Sequence, residues 1–313
     1  MEYRRLGSTG LEVSKLCFGT WRFGLEADDG TVETGREAAH DLLDTFDEHG
    51  GNFIDTANVY GDGKSEEWIG EWLEERDRED YVVASKVYWT VRSRADANLS
   101  RKTIRAEVEG TLDRLGTDYV DLYYIHRFDE ETPIEHTLRT LDQLVSEGKV
   151  HYLAASSMAA WQLTKALWTS DAGGLERFEV TQPRFNAADR PEAYLDVCAD
   201  QDLAVCPYSP LDSGFLTGKY SQGDAGDGTR AALHGWDMDF SDQQWRVLEA
   251  VESVADELDA TPAQVALRWL VEQDRFTCVP IFGARTTGQM EENLGAVEFS
   301  LSEAQFERVA EAY

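Results

Sequence analysis

Positive charge is scarce in this chain. Against 60 aspartates and glutamates stand only 29 lysines and arginines, a formal net charge of −31 over 313 residues. Lysine is confined to positions 15, 64, 86, 102, 149, 165 and 219. A surface of that sign repels phosphate backbones and anionic lipid, so neither nucleic acid nor a membrane is expected as a partner. Cysteine is also sparse: Cys17, Cys198, Cys206 and Cys278 form no Cys-x-x-Cys pair and sit among mostly apolar neighbours. They read as reduced, buried thiols, and no metal site is expected. No apolar run approaches the ~18 residues of a membrane span. Met1 leads into Glu2-Tyr3-Arg4-Arg5 with no apolar signal region behind it, so a soluble cytoplasmic protein is expected.

What is present is enough for a core. Apolar residues make up 42% of the chain and aromatics 11%, which separates it from acidic disordered sequences. The acidic residues are dispersed, as in Glu74-Glu75, Asp129-Glu130-Glu131 and Glu291-Glu292. Dispersed charge suits high salt, where a Debye length of roughly 3 Å screens self-repulsion, so a halophilic setting is expected. No Pro/Ser-rich linker divides the chain, and residues 1–313 are read as one domain.

Tyr3 to Leu6 and Leu11 to Val13 flank Gly7-Ser8-Thr9-Gly10, an N-terminal β-hairpin. Strand-like runs then recur at Lys15–Thr20, Asn52–Asp55, Tyr81–Ser85, Tyr119–Ile125, Val150–Ala155, Phe178–Gln182, Ala204–Tyr208 and Thr277–Pro280. Amphipathic stretches such as Gly35–His49, Glu66–Glu75, Arg101–Leu115, Ile134–Glu147 and Pro191–Asp200 lie between them. Two more, Asp242–Leu258 and Pro262–Glu272, precede the last strand, the second introduced by Thr261-Pro262. Eight alternations predict an α/β fold, a (β/α)8 TIM barrel, with a long loop after strand 7 over residues 209–240. A doubly wound sheet is disfavoured because no Gly-x-Gly-x-x-Gly turn follows the first strand. Gly61-Asp62-Gly63-Lys64-Ser65 lacks the earlier glycine of a P-loop, since position 58 is Asn.

Three of the strands end in groups that move or stabilise protons: Asp55, Lys86 and His126, with Tyr60 one loop beyond Asp55. In a barrel these converge on the C-terminal rim, where barrel chemistry resides. A phenol with a pKa near ~10 is a poor acid at neutral pH. An adjacent ammonium favours the phenolate and lowers that value, and a carboxylate holds the ammonium in place. A neutral histidine can donate a hydrogen bond to a carbonyl oxygen. Trp21, Tyr88, Trp89, Phe128 and Trp236 are candidates for an aromatic cleft above this group. A hydrolytic barrel with Asp55 as one of two carboxylates finds no second strand-end acid.

At these residues the chain resembles the aldo-keto reductase superfamily. The resemblance runs through Gly19-Thr20-Trp21, Phe53-Ile54-Asp55-Thr56-Ala57-x-x-Tyr60-Gly61, Ser65-Glu66, Lys86 and Tyr123-Tyr124-Ile125-His126. It continues in Glu147-Gly148-Lys149-Val150, Gln182-x-x-x-Asn186, Tyr208-Ser209-Pro210-Leu211 and Glu292-Asn293. It implies a nicotinamide-dependent reductase of aldehyde or ketone substrates, with Tyr60 as proton donor, Lys86 and Asp55 tuning it, and His126 orienting the carbonyl. The cofactor site it implies starts at Gly19 and Thr20. Ser156 and Gln182 would hold the carboxamide, with Ser157 beside them too short to supply an amide of its own, and Tyr208 would stack on the nicotinamide. Ser209, Leu211 and Gly214 would follow the pyrophosphate. Gly283, Arg285, Gln289, Glu292 and Asn293 would take the adenosine end.

Two departures stand out: Ser156-Ser157 replaces the usual Ser-Asn, and Arg285 is the lone cation of the adenosine loop. NADPH is the expected cofactor because arginine pairs well with phosphate, with NADH as a second possibility. The resemblance also admits a cofactor-sensing subunit with little turnover, as in the β subunits of potassium channels. A monomer or weak homo-oligomer is expected.

Overall fold

The structure is a computed structural model, and it describes residues 1–27, 30–91, 97–220 and 240–313. Strands β1 (Tyr3–Arg5) and β2 (Glu12–Ser14) form the antiparallel hairpin. Eight parallel strands follow: β3 (Cys17–Gly19), β4 (Phe53–Asp55), β5 (Val82–Val87), β6 (Val120–Ile125), β7 (Val150–Ser156), β8 (Phe178–Gln182), β9 (Ala204–Val205) and β10 (Ile281–Phe282). They lie in sequence order, with β10 paired beside β3. The other edge closes as well. Val205 N–H donates to Thr277 O at 2.8 Å, Val279 N–H to Val205 O at 2.9 Å, and Ile281 N–H to Pro207 O at 3.0 Å. The fold is a (β/α)8 barrel, as the alternation predicts.

The last two strands are shorter than the sequence suggests. Pro207 and Pro280 have no N–H to give, so regular pairing stops at each and single bridging hydrogen bonds take over. The expected strand at Thr277–Pro280 contributes one bridge, at Cys278, and the paired strand follows it at Ile281–Phe282.

Each wall strand is apolar on both faces, as parallel strands covered by helices must be. Phe53, Val82, Ala84, Leu122, Tyr124, Ala154, Val180 and Ala204 fill the interior. Their neighbours Ile54, Val83, Tyr123, Ile125 and Leu153 face the helices. The hairpin stoppers the N-terminal end: Leu6 and Val13 join the interior cluster, Arg4 donates to Cys278 O at 2.7 Å, and the Tyr152 hydroxyl donates to Thr9 O at 2.6 Å.

Helices α1 (Arg36–Glu48), α2 (Lys64–Leu73), α3 (Arg101–Leu115), α4 (Ile134–Ser146), α5 (Ala160–Gly173), α6 (Glu192–Asp200), α7 (Asp242–Leu258), α8 (Pro262–Val271), α9 (Thr287–Leu294) and α10 (Glu303–Glu311) surround the strands. Their ends follow local chemistry. Ser100 caps α3 by accepting from Thr103 N, and Gly116 ends it at φ 62°. Thr261 and Gln264 form a capping box around Pro262. Helix α5 is missing from the amphipathic stretches named above because its apolar residues do not keep to one face. Trp161 and Trp168 point out while Leu163 and Leu167 point in.

Of the long connection at 209–240, residues 209–220 are described, with a short 3-10 segment at Asp212–Thr217. Residues 221–239, including Trp236, lie outside the described residues. No described helix is long and apolar enough to cross a membrane.

Candidate active site

Asp55 is the last residue of β4, Lys86 lies at the end of β5, and His126 follows β6 directly. Asp55 pairs with Ala84 and Lys86 with Tyr124, so each functional group stands two residues beyond the previous one's partner at the C-terminal rim, and Tyr60 follows in the loop that leads into α2. Lys86 is fully buried and commits all three ammonium hydrogens. It donates to Asp55 Oδ1 at 2.5 Å, Thr56 O at 2.8 Å and Tyr60 Oη at 3.2 Å. The second Asp55 oxygen accepts from Gln182 Nε2 at 2.9 Å.

The ring of His126 meets that of Tyr60 at 5.9 Å and 77°, and that of Trp89 at 4.9 Å and 80°. Its Nδ1 is buried with no hydrogen-bond partner. Tyr60 and His126 are half-buried, which leaves them open to the barrel mouth.

The electrostatics refine the expectation for Tyr60. Burial works against the Lys86 charge, but Asp55 and Tyr60 outweigh it, so the ammonium is held above its ordinary pKa. Burial raises Asp55, with Lys86 and Gln182 pulling the other way. For Tyr60 the net direction is up and not down: burial dominates, Asp55 adds to it, and the pull of Lys86 is smaller. The phenol therefore keeps its proton. Burial, with Lys86 beside it, pushes His126 well below 6.5, so the imidazole is neutral at neutral pH. An ammonium only donates, so Tyr60 accepts from Lys86 and its own O–H is directed elsewhere.

A hydroxyl network underlies these groups. Thr20 Oγ1 donates to Asp55 O at 3.0 Å, and Ser65 Oγ lies 2.8 Å from both Thr20 Oγ1 and Thr56 Oγ1. Thr20 is fully buried there. Ser156 is also buried and donates to Gln182 O at 3.0 Å. Ser157 is exposed at φ 51°, a left-handed backbone for which Asn is the common non-glycine choice. Ser157 is therefore a mildly strained residue at this turn.

Tyr208 is half-buried beside Ser209, and Leu211 packs against the core. Ser209, Asp212, Ser213 and Gly214 all have positive φ, the kind of backbone from which phosphate-receiving nests are built. Gly19 and Gly283 lie where β3 and β10 approach: a Cβ on Gly19 would sit 2.7 Å from Ile281, and one on Gly283 would face Gly19 O and Arg22. Arg285 N–H donates to Gln289 Oε1 at 2.9 Å at the start of α9. Glu292 is exposed and Asn293 buried farther along that helix.

Trp21 is 39% exposed, Trp89 stands against His126 with Tyr88 edge-on at 5.0 Å, and Phe128 packs on Trp161 at 5.9 Å.

Two cations escaped the sequence reading. The amine of Lys219 occupies the space into which a Gly214 side chain would project. Arg22 lies by Gly283, held by Glu33 at 2.6 Å, and is lowered by burial with a smaller push from Arg285. A usable signal existed for Lys219: it is one of seven lysines in a lysine-poor chain and follows the glycine-rich turn at once. This collection of turns, amide side chains and cations suits a phosphate-bearing, flat-ringed cofactor.

A family model described as the aldo/keto reductase family matches residues 15–313. A probable voltage-gated potassium channel subunit beta of Arabidopsis thaliana is 35% identical over 308 residues, covering 95% of this chain and 92% of that protein. The uncharacterized oxidoreductase YrpG of Bacillus subtilis is 35% identical, with 96% and 92% covered. Norsolorinic acid reductase B of Dothistroma septosporum is 32% identical, with 100% and 82% covered.

Proposed function

The chain belongs to the aldo/keto reductase family, and from that premise we propose that it reduces aldehydes or ketones to alcohols with a nicotinamide cofactor. One observation carries the reading. Lys86 uses every hydrogen on Asp55, Thr56 and Tyr60, so the protonated Tyr60 has its own O–H to give at the open mouth. A reduced nicotinamide, when bound, supplies the hydride for the carbonyl carbon. Tyr60 gives its proton to the carbonyl oxygen, and the phenolate left behind is stabilised by the Lys86 ammonium 3.2 Å away until solvent restores the proton. His126, neutral, donates a hydrogen bond that orients the carbonyl. Asp55 keeps Lys86 charged and in place.

In this reading Ser156, Ser157 and Gln182 hold the cofactor's carboxamide, and Tyr208 covers the ring. Ser209, Leu211 and Gly214 receive the pyrophosphate with Lys219, and Arg285 and Gln289 receive a 2′-phosphate. Glu292 and Asn293 face the adenine, while Gly19, Thr20 and Gly283 let the strand ends approach it. Trp21, Trp89 and Phe128 border the carbonyl compound. NADPH is the favoured cofactor because Arg22 stands near Arg285, with NADH accepted less well. Residues 1–313 act as a single unit in the cytoplasm, as a monomer or weak homo-oligomer.

The test is turnover of a panel of aldehydes and ketones with both cofactors, by the native chain and by Tyr60→Phe. The variant is expected to lose about 10³-fold in kcat, within the range of a general acid, and to bind cofactor as before. Undiminished reduction by Tyr60→Phe would refute the proton-donor role.

A second reading follows from the likeness to the probable potassium channel subunit beta: a cofactor-binding subunit with little turnover. Tight cofactor binding without reduction across the panel selects it. The dispersed acidic surface is further proposed as an adaptation to concentrated salt, and thermal stability should fall as KCl is removed. A constant or rising midpoint excludes that adaptation.

A further inference from the structure

Between Asp55 and Tyr60 the chain leaves the barrel wall and returns, and Asn58, in the middle of that excursion, is fully buried. Its side-chain nitrogen donates to Trp89 O at 2.7 Å and to Glu107 Oε2 at 2.7 Å. Both partners are acceptors, so the amide must present its nitrogen to them, and both hydrogens are committed. Glu107 lies on α3 at 7% exposure and accepts from Val91 N–H as well, at 3.5 Å. One amide thus fastens three pieces together: the loop carrying Tyr60, the loop carrying Trp89, and a helix of the outer ring.

The consequence converges on His126. Its ring meets both the Tyr60 and the Trp89 rings edge-on. The backbone that places each of these rings is within two residues of Asn58 or bonded directly to it. The acceptors of Asn58, Trp89 O and Glu107 Oε2, are not those of Lys86, so its hydrogen bonds are separate from the ammonium's. Serine or threonine here would be too short to reach both acceptors, and a carboxylate would set like charge against Glu107.

We propose that Asn58 is a positioning residue that fixes Trp89 against His126 as a wall of the substrate site and so favours carbonyl compounds bearing an aromatic ring. The substrate half of this inference rests on the reductase reading; the clamp itself does not.

The experiment compares Asn58→Ala with the native chain on 4-nitrobenzaldehyde and propanal, alongside cofactor titration. For the aromatic aldehyde, kcat/KM should fall about tenfold, the scale of one lost hydrogen bond to a charged group. Propanal should lose about threefold or less, and cofactor affinity should stay within about twofold. In a double-mutant cycle, adding Asn58→Ala to Trp89→Ala should cost little more than Trp89→Ala alone. Additive losses, equal losses on both aldehydes, or unchanged kinetics would overturn the proposal.

Asn58→Asp keeps the volume while opposing Glu107, and carries the same expectations where the alanine variant does not fold. If the native chain reduces neither aldehyde, the reductase reading fails and the clamp is judged by fluorine NMR of 5-fluorotryptophan protein. The Trp89 resonance, identified with Trp89→Phe, should shift in Asn58→Ala; an unmoved resonance refutes the clamp.

Discussion

Ser85 and Lys86 are consecutive residues on β5 that face opposite sides of the barrel wall, and each meets a buried carboxylate that is paired with a cation. On the inner side Lys86 pairs with Asp55; on the outer side Ser85 donates to Glu66, which pairs with Arg114 at 2.7 Å. Both carboxylates are raised by burial and pulled back by their cations. The difference lies in the third neighbour. Lys86 touches the half-exposed phenol of Tyr60, whereas Arg114 presses its Cδ toward Gly63 and the start of α2. The same interaction supports proton chemistry where it reaches the mouth and anchorage where it is sealed beneath helices.

The sharpest way to break this contrast is to remove one member of each pair. Lys86→Met should cost about 10³-fold in kcat even in folded protein, because Tyr60 loses the charge that stabilises its phenolate. Glu66→Ala strands Arg114 in the interior and should cost about 3–5 kcal/mol of stability. Its kcat per folded molecule should stay within about threefold of native. Urea unfolding and active-site-normalised kinetics read the two effects separately, and an equal loss of kcat in both variants would erase the distinction.

The pH profile sharpens the inner side. His126 lies well below 6.5 and Tyr60 above 10.0, so both groups are in their working forms between those values. For reduction, kcat/KM should stay flat across that window and fall only as Tyr60 loses its proton on the alkaline side. An inflection near pH 6.5 would mean that His126 still titrates normally.

The smallest effect concerns Ser157. Ser157→Asn places a residue that tolerates φ 51° at that turn and supplies a side-chain amide. A gain of about 0.5 kcal/mol in stability and a few-fold tighter cofactor binding are expected, read by thermal melts and titration. Weaker binding would show that Ser157 is not part of the carboxamide site.

The barrel was legible because each strand-and-helix unit repeats a pattern set by burial. Asp55, Lys86 and His126 were legible because they sit at strand ends, whose location the same pattern fixes, with Tyr60 one loop beyond the first. What stayed hidden came from the helices packed behind the wall. Glu107 and Arg114 lie on α3 among ordinary surface-type residues, and nothing in their spacing marks them as buried. Asn58 fell between recognisable residues, and its two acceptors come from 31 and 49 positions away. Helix α5 lacked a clean stripe because Trp161 and Trp168 face solvent. The sign of the Tyr60 shift depended on the depth of burial, which a neighbour list does not contain.

The hairpin has a consequence for the order in which this molecule assembles. Within it Arg4 is secured by Cys278, 274 positions later, and Thr9 by Tyr152, 143 later. Closing such separations early is entropically unfavourable, so contacts of this range form late. The stopper must wait, loosely held, while the ring it will seal is still open. The hairpin is therefore among the last segments to find its place.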